Sequence, residues 1–188
     1  MEPEAVRREL HARATDVRAT LADRWGTVPT RERTVPALNR SPPEHPDDLF
    51  PWAAVCLVTR GDEVLMLQDP DHDTLEWEPP GGKGRPDERP AETARREVRE
   101  ETGVTCDVTD LLLVELLQFH YGGDDPYPVA QAVFAGPYIG GDAKAREEAI
   151  ETIGWFDARD LPSNVQYRSL IRDHVVERSE SRRARFDR

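Results

Sequence analysis

Apolar residues recur at mostly three- and four-residue intervals from Val6 through Leu10, Ala14, Val17 and Leu21 to Trp25, which predicts an amphipathic helix over residues 4–25. From Gly26 to Pro51 that period disappears. The stretch is rich in proline and polar side chains, including Ser41-Pro42-Pro43-Glu44-His45-Pro46, and reads as a linker or surface-hugging loop. Ala53–Thr59 is an apolar, β-branched run, Gly61-Asp62 is a turn signal, and Glu63–Gln68 alternates into a second strand, so a hairpin is expected. Leu75-Glu76-Trp77 leads to Pro79-Pro80-Gly81-Gly82. Pro90 then opens a segment in which Ala91, Ala94, Val98 and Thr102 form a narrow stripe of helical period, ended by Gly103, where a helix C-terminus favours a left-handed residue. Leu111–Tyr121 and Pro128–Gly136 read as strands separated by the turn-rich Gly122-Gly123-Asp124-Asp125-Pro126. Asp142–Glu151 is an acidic loop or short helix before Ile153-Gly154-Trp155-Phe156, Asp160-Leu161-Pro162 marks a turn, and residues 165–184 read as a C-terminal helix. Strands interleaved with few helices predict a mixed α/β layer architecture.

The helix expected over residues 90–102 carries an electrostatic cost. Arg96-Glu97-Val98-Arg99-Glu100-Glu101 puts three carboxylates on roughly one face of a turn, since positions i, i+3 and i+4 are neighbours there. At an effective dielectric near 20, two unit charges about 4 Å apart repel by roughly 4 kcal/mol. A divalent cation turns that repulsion into binding energy, and hard carboxylate oxygens suit Mg²⁺ or Mn²⁺.

The surrounding residues complete a pattern: Gly82, five residues, Glu88, seven residues, Arg96-Glu97, Val98, one residue, Glu100-Glu101, one residue, Gly103 and Val104. This resembles the signature of the Nudix hydrolase family at every specified position. The resemblance covers about residues 50–165 and implies an α/β/α sandwich around a mixed sheet, here with an N-terminal helix plus Pro-rich linker (1–49) and a C-terminal helix with an Arg-rich tail (166–188). It implies that Glu97, Glu100 and Glu101 bind Mg²⁺, or Mn²⁺, with Arg96 orienting Glu97 by a salt bridge, and that Gly82, Glu88 and Gly103 support the motif. The implied reaction is hydrolysis of a pyrophosphate bond in a nucleoside diphosphate linked to another moiety. Its general base is Glu100, Glu101 or a downstream acid among Glu147, Glu148 and Glu151, of which Glu148 is the chosen candidate.

Substrate contacts are expected from Trp77, Lys83, Arg85 and Tyr121. Trp77-Glu78-Pro79-Pro80-Gly81 resembles the entry to the motif in ADP-ribose pyrophosphatases, and Tyr121 lies near where diadenosine polyphosphate hydrolases carry a tyrosine. Each aromatic has an ordinary reading as a core residue beside its reading as a base-stacking surface. Two other functions compete: a nucleotide-sensing domain without catalysis, and a diphosphate isomerase on the same scaffold. Cys56 and Cys106 match no isomerase arrangement.

Charge narrows the partners further. The net charge is −12, while Gly82–Val104 balances six cations against six acids. So acidic a surface argues against general nucleic-acid binding, yet leaves a small phosphorylated substrate feasible beside Lys83, Arg85 and Arg89. Only Lys83 and Lys144 are lysines among 25 basic residues, a bias that suits either a halophilic source or a GC-rich genome. The two cysteines have no ligand spacing and read as buried thiols of a cytoplasmic protein. No segment is apolar enough to span a bilayer, and the N-terminal helix is expected to pack on the core or on a second copy of the chain.

Overall fold

A computed structural model describes residues 1–37, 40–68, 76–123, 125–146, 150 and 152–176. In chain order the elements are α1 (Pro3–Trp25), β1 (Thr30–Pro36), a 3-10 turn (Pro46–Asp48), β2 (Ala53–Arg60), β3 (Glu63–Gln68), β4 (Gly81–Lys83), α2 (Pro90–Thr102), β5 (Thr105–Cys106), β6 (Asp110–His120), β7 (Tyr127–Gly140) and β8 (Thr152–Asp157). Residues 168–176 are helical as well. The chain divides into two compact units, Met1–Ala54 with Gly82–Thr93 and Asp110–Phe134, and Val55–Gly81 with Ala94–Thr109 and Ala135–Arg188.

In the first unit, α1 begins at Pro3, where a missing N–H costs nothing, and ends at Gly26, whose φ of 83° suits glycine. Its apolar face is buried as the period predicts. Val6 and Leu10 pack with Tyr127 and are flanked by Leu49, Phe119 and Tyr121, while Ala14 meets Leu116 and Ala130. Fully burying Val6 or Leu10 contributes about 1.5–3 kcal/mol each. The helix therefore covers β6 and β7 of its own chain.

The stretch expected as a linker contains a strand. β1 runs parallel to β6, from Thr30 opposite Val114 to Pro36 opposite His120. Its sequence, Thr-Arg-Glu-Arg-Thr-Val-Pro, lacks apolar alternation because one buried acid anchors it instead of a core. Glu115 on β6 is 0% exposed, and its Oε1 accepts from Arg31 Nε at 2.7 Å. Its Oε2 accepts from Gln131 Nε2 at 2.9 Å and lies 3.4 Å from Arg33 Nε.

In the second unit, β2 and β3 form the expected hairpin through Gly61, whose φ is 63°, and β3 pairs antiparallel with β8 from Glu63–Asp157 to Gln68–Thr152. Val64, Leu65, Met66 and Leu67 are all buried, so β3 reads as a continuous apolar run. β5 joins the end of β7 through an irregular pairing of Thr105 with Gly140 and Cys106 with Tyr138. Parallel and antiparallel pairs together make the sheet mixed, and with the helices they give the expected α/β class.

Cys56 and Cys106 are buried free thiols. The hydrogen bond between them, with burial, pushes the Cys56 thiol well up. Among the described residues no helix is long and apolar enough to cross a membrane. Glu147, Glu148, Glu151 and residues 177–188 lie outside the described residues.

Candidate active site

Helix α2 is made by the end signals seen in the sequence plus one that was not. Glu92 reaches back so that its Oε2 accepts from the Arg89 N–H at 2.8 Å, half of a capping box, with Pro90 in the first turn. Ala91, Ala94, Val98 and Thr102 are buried at 5%, 0%, 0% and 0% exposure, the stripe that the period predicts. At the far end Gly103 takes a φ of 70° and donates to Arg99 O at 3.0 Å. The last carbonyls are closed by a distant segment: Lys144 N donates to Thr102 O at 2.9 Å and Arg146 N to Glu101 O at 3.0 Å. No local signal pointed to that closure. It leaves no room at Gly103, where a Cβ would lie 2.3 Å from Arg146 Nε.

With the stripe facing inward, the acidic residues sit at the helix margin. Arg96 Nη1 donates to Glu97 Oε1 at 2.7 Å and to Glu100 Oε2 at 2.9 Å. The Arg96 and Glu97 side chains are 15% and 12% exposed, against 41% for Glu100. One guanidinium thus offsets the repulsion between two of the three carboxylates. The third is held from elsewhere: Glu101 Oε2 accepts from the Gly81 N–H at 2.9 Å, and that glycine precedes Gly82 of the motif on β4.

Among the described residues no three His, Cys, Asp or Glu side chains converge as a ready-made metal cage. The donor chemistry nevertheless fits a hard divalent ion, because the helix supplies three carboxylates within five residues and two of them already gather around a cation.

A second group of expected residues gathers in the loop before α2. Glu88 Oε2 accepts from Thr93 Oγ1 at 2.8 Å and from the Arg85 N–H at 3.3 Å. Thr93 Oγ1 accepts in turn from Trp52 Nε1 at 3.1 Å. The Lys83 ammonium lies 5.7 Å from the centre of the Phe50 ring, and both Lys83 and Arg85 are exposed.

The expected aromatic residues each pack against another ring. Trp77 is half-buried and meets Phe156 edge to face at 4.5 Å. Tyr121, also half-buried, meets Tyr127 at 5.5 Å beside the Val6 and Leu10 cluster, and burial pushes its phenol pKa up. The candidate base Glu148 lies outside the described residues. Trp52, Thr93 and the 144–146 segment carry no motif in the sequence, whereas Gly81 belongs to the glycine pair that permits a close backbone approach ahead of the helix. For the first three, a lone tryptophan just ahead of an apolar strand was the one visible sign.

The NUDIX domain model matches residues 49–176. Among curated relatives, the NAD-capped RNA hydrolase NudC of Pseudomonas fluorescens is 31% identical over 121 residues, 63% of this chain and 40% of that protein. The same-named protein of Pseudomonas putida strain GB-1 is 32% identical over 121 residues, with the same coverage. The chain spans about 40% of the length of these relatives. A MutT NUDIX hydrolase from Burkholderia pseudomallei superposes with a TM-score of 0.53 at 23% identity, over 66% of this chain and 95% of that one. The E. coli dihydroneopterin triphosphate pyrophosphohydrolase does so with a TM-score of 0.52 at 17% identity, over 69% and 99%. These structures share the fold. The chain belongs to the Nudix family.

Proposed function

We propose that this Nudix-family chain hydrolyses a pyrophosphate bond in a nucleoside diphosphate linked to another moiety, with Mg²⁺ or Mn²⁺ as cofactor. The observation that carries the reading is the charge arrangement on α2: Glu97 and Glu100 share the Arg96 guanidinium while Glu101 is fixed by the Gly81 N–H. A helix that only needed solubility has no use for two acids sharing one cation and a third held by a backbone donor.

Glu97, Glu100 and Glu101 would hold the ion, which when bound neutralises phosphate charge and acidifies a water. Arg96 holds the Glu97 side chain in one orientation. Lys83 and Arg85 offer exposed positive charge to a polyphosphate at the entrance to the motif, and either Trp77 or Tyr121 would offer ring surface to a base. In the reaction the water oxygen bonds to phosphorus, the bridging oxygen leaves with the other phosphate, and the water's proton passes to Glu100, Glu101 or Glu148. The products are two phosphomonoesters.

Relatives named NAD-capped RNA hydrolase favour a NAD-like or ADP-ribose-like substrate in which two nucleoside or sugar groups flank the bond. The isomerase alternative is disfavoured by its need for a reactive thiol, since Cys56 and Cys106 are 0% and 4% exposed. Free thiols and the absence of an apolar spanning helix among the described residues favour work in the cytoplasm.

The reading is tested by incubating the protein with NAD, ADP-ribose, nucleotide sugars, dinucleoside polyphosphates and oxidised dNTPs, with and without Mg²⁺, and identifying products by mass. Mg²⁺-dependent cleavage of a pyrophosphate bond is expected, giving two phosphomonoesters from NAD, ADP-ribose or a nucleotide sugar. Tight binding of these nucleotides with no turnover would replace it with the sensing reading.

A further inference from the structure

We propose that Trp52 is a positioning residue for Glu88, acting through the hydroxyl of Thr93; the inference rests on the function proposed above. An indole N–H can only donate. Trp52 Nε1 lies 3.1 Å from Thr93 Oγ1, so at that contact the threonine oxygen must accept and its own proton turns elsewhere. It turns to Glu88 Oε2, 2.8 Å away. Thr93 is 0% exposed, so no bulk water competes for that proton. The chain of donors closes in one direction only, from tryptophan through threonine to a carboxylate that accepts.

Contacts from Arg85 fix the same carboxylate from the loop side. The Arg85 N–H donates to Glu88 Oε2 at 3.3 Å, and Arg85 Nη1 lies 4.0 Å from Oε1. Trp52 also seats that loop. Its carbonyl accepts from the Gly84 N–H at 2.8 Å, and a Cβ on Gly84 would fall 2.1 Å from Trp52 Nε1. Gly84 is not a position that the Nudix pattern specifies. Glu88 stands two residues before Pro90, where α2 begins, and α2 carries Glu97, Glu100 and Glu101. Glu88 is itself a position of the Nudix pattern, so its orientation bears on the function proposed above.

Two substitutions cut the relay and leave the packing. Trp52→Phe keeps a ring over Gly84 and removes the N–H; Thr93→Val keeps the volume and removes the hydroxyl. Each is expected to lower kcat by about tenfold with KM little changed, the size of effect typical for a group that orients a functional side chain. Thr93→Ser is expected to restore kcat, and Trp52→Phe is expected to add no further loss to Glu88→Gln. Unchanged kcat in Trp52→Phe and Thr93→Val, or losses that multiply with Glu88→Gln, would overturn the proposal. The NMR resonance of the Trp52 indole N–H, assigned by its absence in Trp52→Phe, supplies a readout without turnover. It should move in Thr93→Val and in Glu88→Gln, and an unmoved resonance in both overturns the relay. If the wild type turns over no substrate, the function above fails while the resonance still decides the relay.

Discussion

Replacing Arg96 by methionine removes one guanidinium from among three acids and retains most of the side-chain volume. The leg to Glu97 lies between side chains 15% and 12% exposed, where a charge-assisted hydrogen bond contributes about 1.5–3 kcal/mol. The leg to Glu100 ends on a side chain 41% exposed, so solvent screening reduces it to about 0.5 kcal/mol. Together Arg96→Met should cost about 3 kcal/mol in the absence of metal. Removing one positive charge also leaves the carboxylate set more negative, which strengthens its attraction for a divalent ion. Mg²⁺ stabilises both proteins, so only a difference in affinity narrows the gap, and halving about 3 kcal/mol takes roughly tenfold tighter binding by the variant. The assay is urea unfolding of wild type and Arg96→Met, each with EDTA and with saturating Mg²⁺. The penalty should fall by half or more when Mg²⁺ is present. An equal or larger penalty with Mg²⁺ would refute the idea that the guanidinium and a metal answer the same charge.

Three further outcomes follow from other parts of the chain. Glu115→Gln should cost about 2 kcal/mol, since the two arginines it loses are partly solvated, and should speed hydrogen exchange at the β1 amides; unchanged exchange would mean that backbone pairing alone holds β1. Gly103→Ala should lower Tm by roughly 4–8 °C through about 2 kcal/mol of left-handed strain and displacement of Arg146, and a shift under about 1 °C would contradict the tight helix closure. With a net charge of −12, folding monitored by circular dichroism should gain stability from about 0.1 to 3 M KCl if the composition reflects a halophilic chain. A flat salt dependence would leave codon bias as the explanation.

The parts of this protein legible in its sequence are those where one local period does the work. Ala91, Ala94, Val98 and Thr102 mark α2, and Val6, Leu10 and Ala14 mark α1, because burial of a helix face writes itself at three- and four-residue spacing. β1 was hidden because its partners lie some 84 positions away: Arg31 and Glu115 make sense only together. The sign was there in Leu-Leu-Leu-Val-Glu115-Leu-Leu, an acid inside an apolar strand that needs a cation. The acids of α2 were legible by spacing and motif. Their arrangement was not, since the Gly81 N–H, the 144–146 closure and the Trp52 relay all come from segments remote in sequence.

The central claim is that Glu97, Glu100 and Glu101 hold a metal that drives pyrophosphate hydrolysis. It is tested most directly by product analysis of NAD and ADP-ribose turnover in wild type, Glu100→Gln and Glu101→Gln at matched Mg²⁺, with folding followed by circular dichroism. Two phosphomonoester products are expected from the wild type only with Mg²⁺, with turnover lost in both variants while their fold stays intact. Undiminished turnover in both variants, or turnover by the wild type in EDTA, would contradict it.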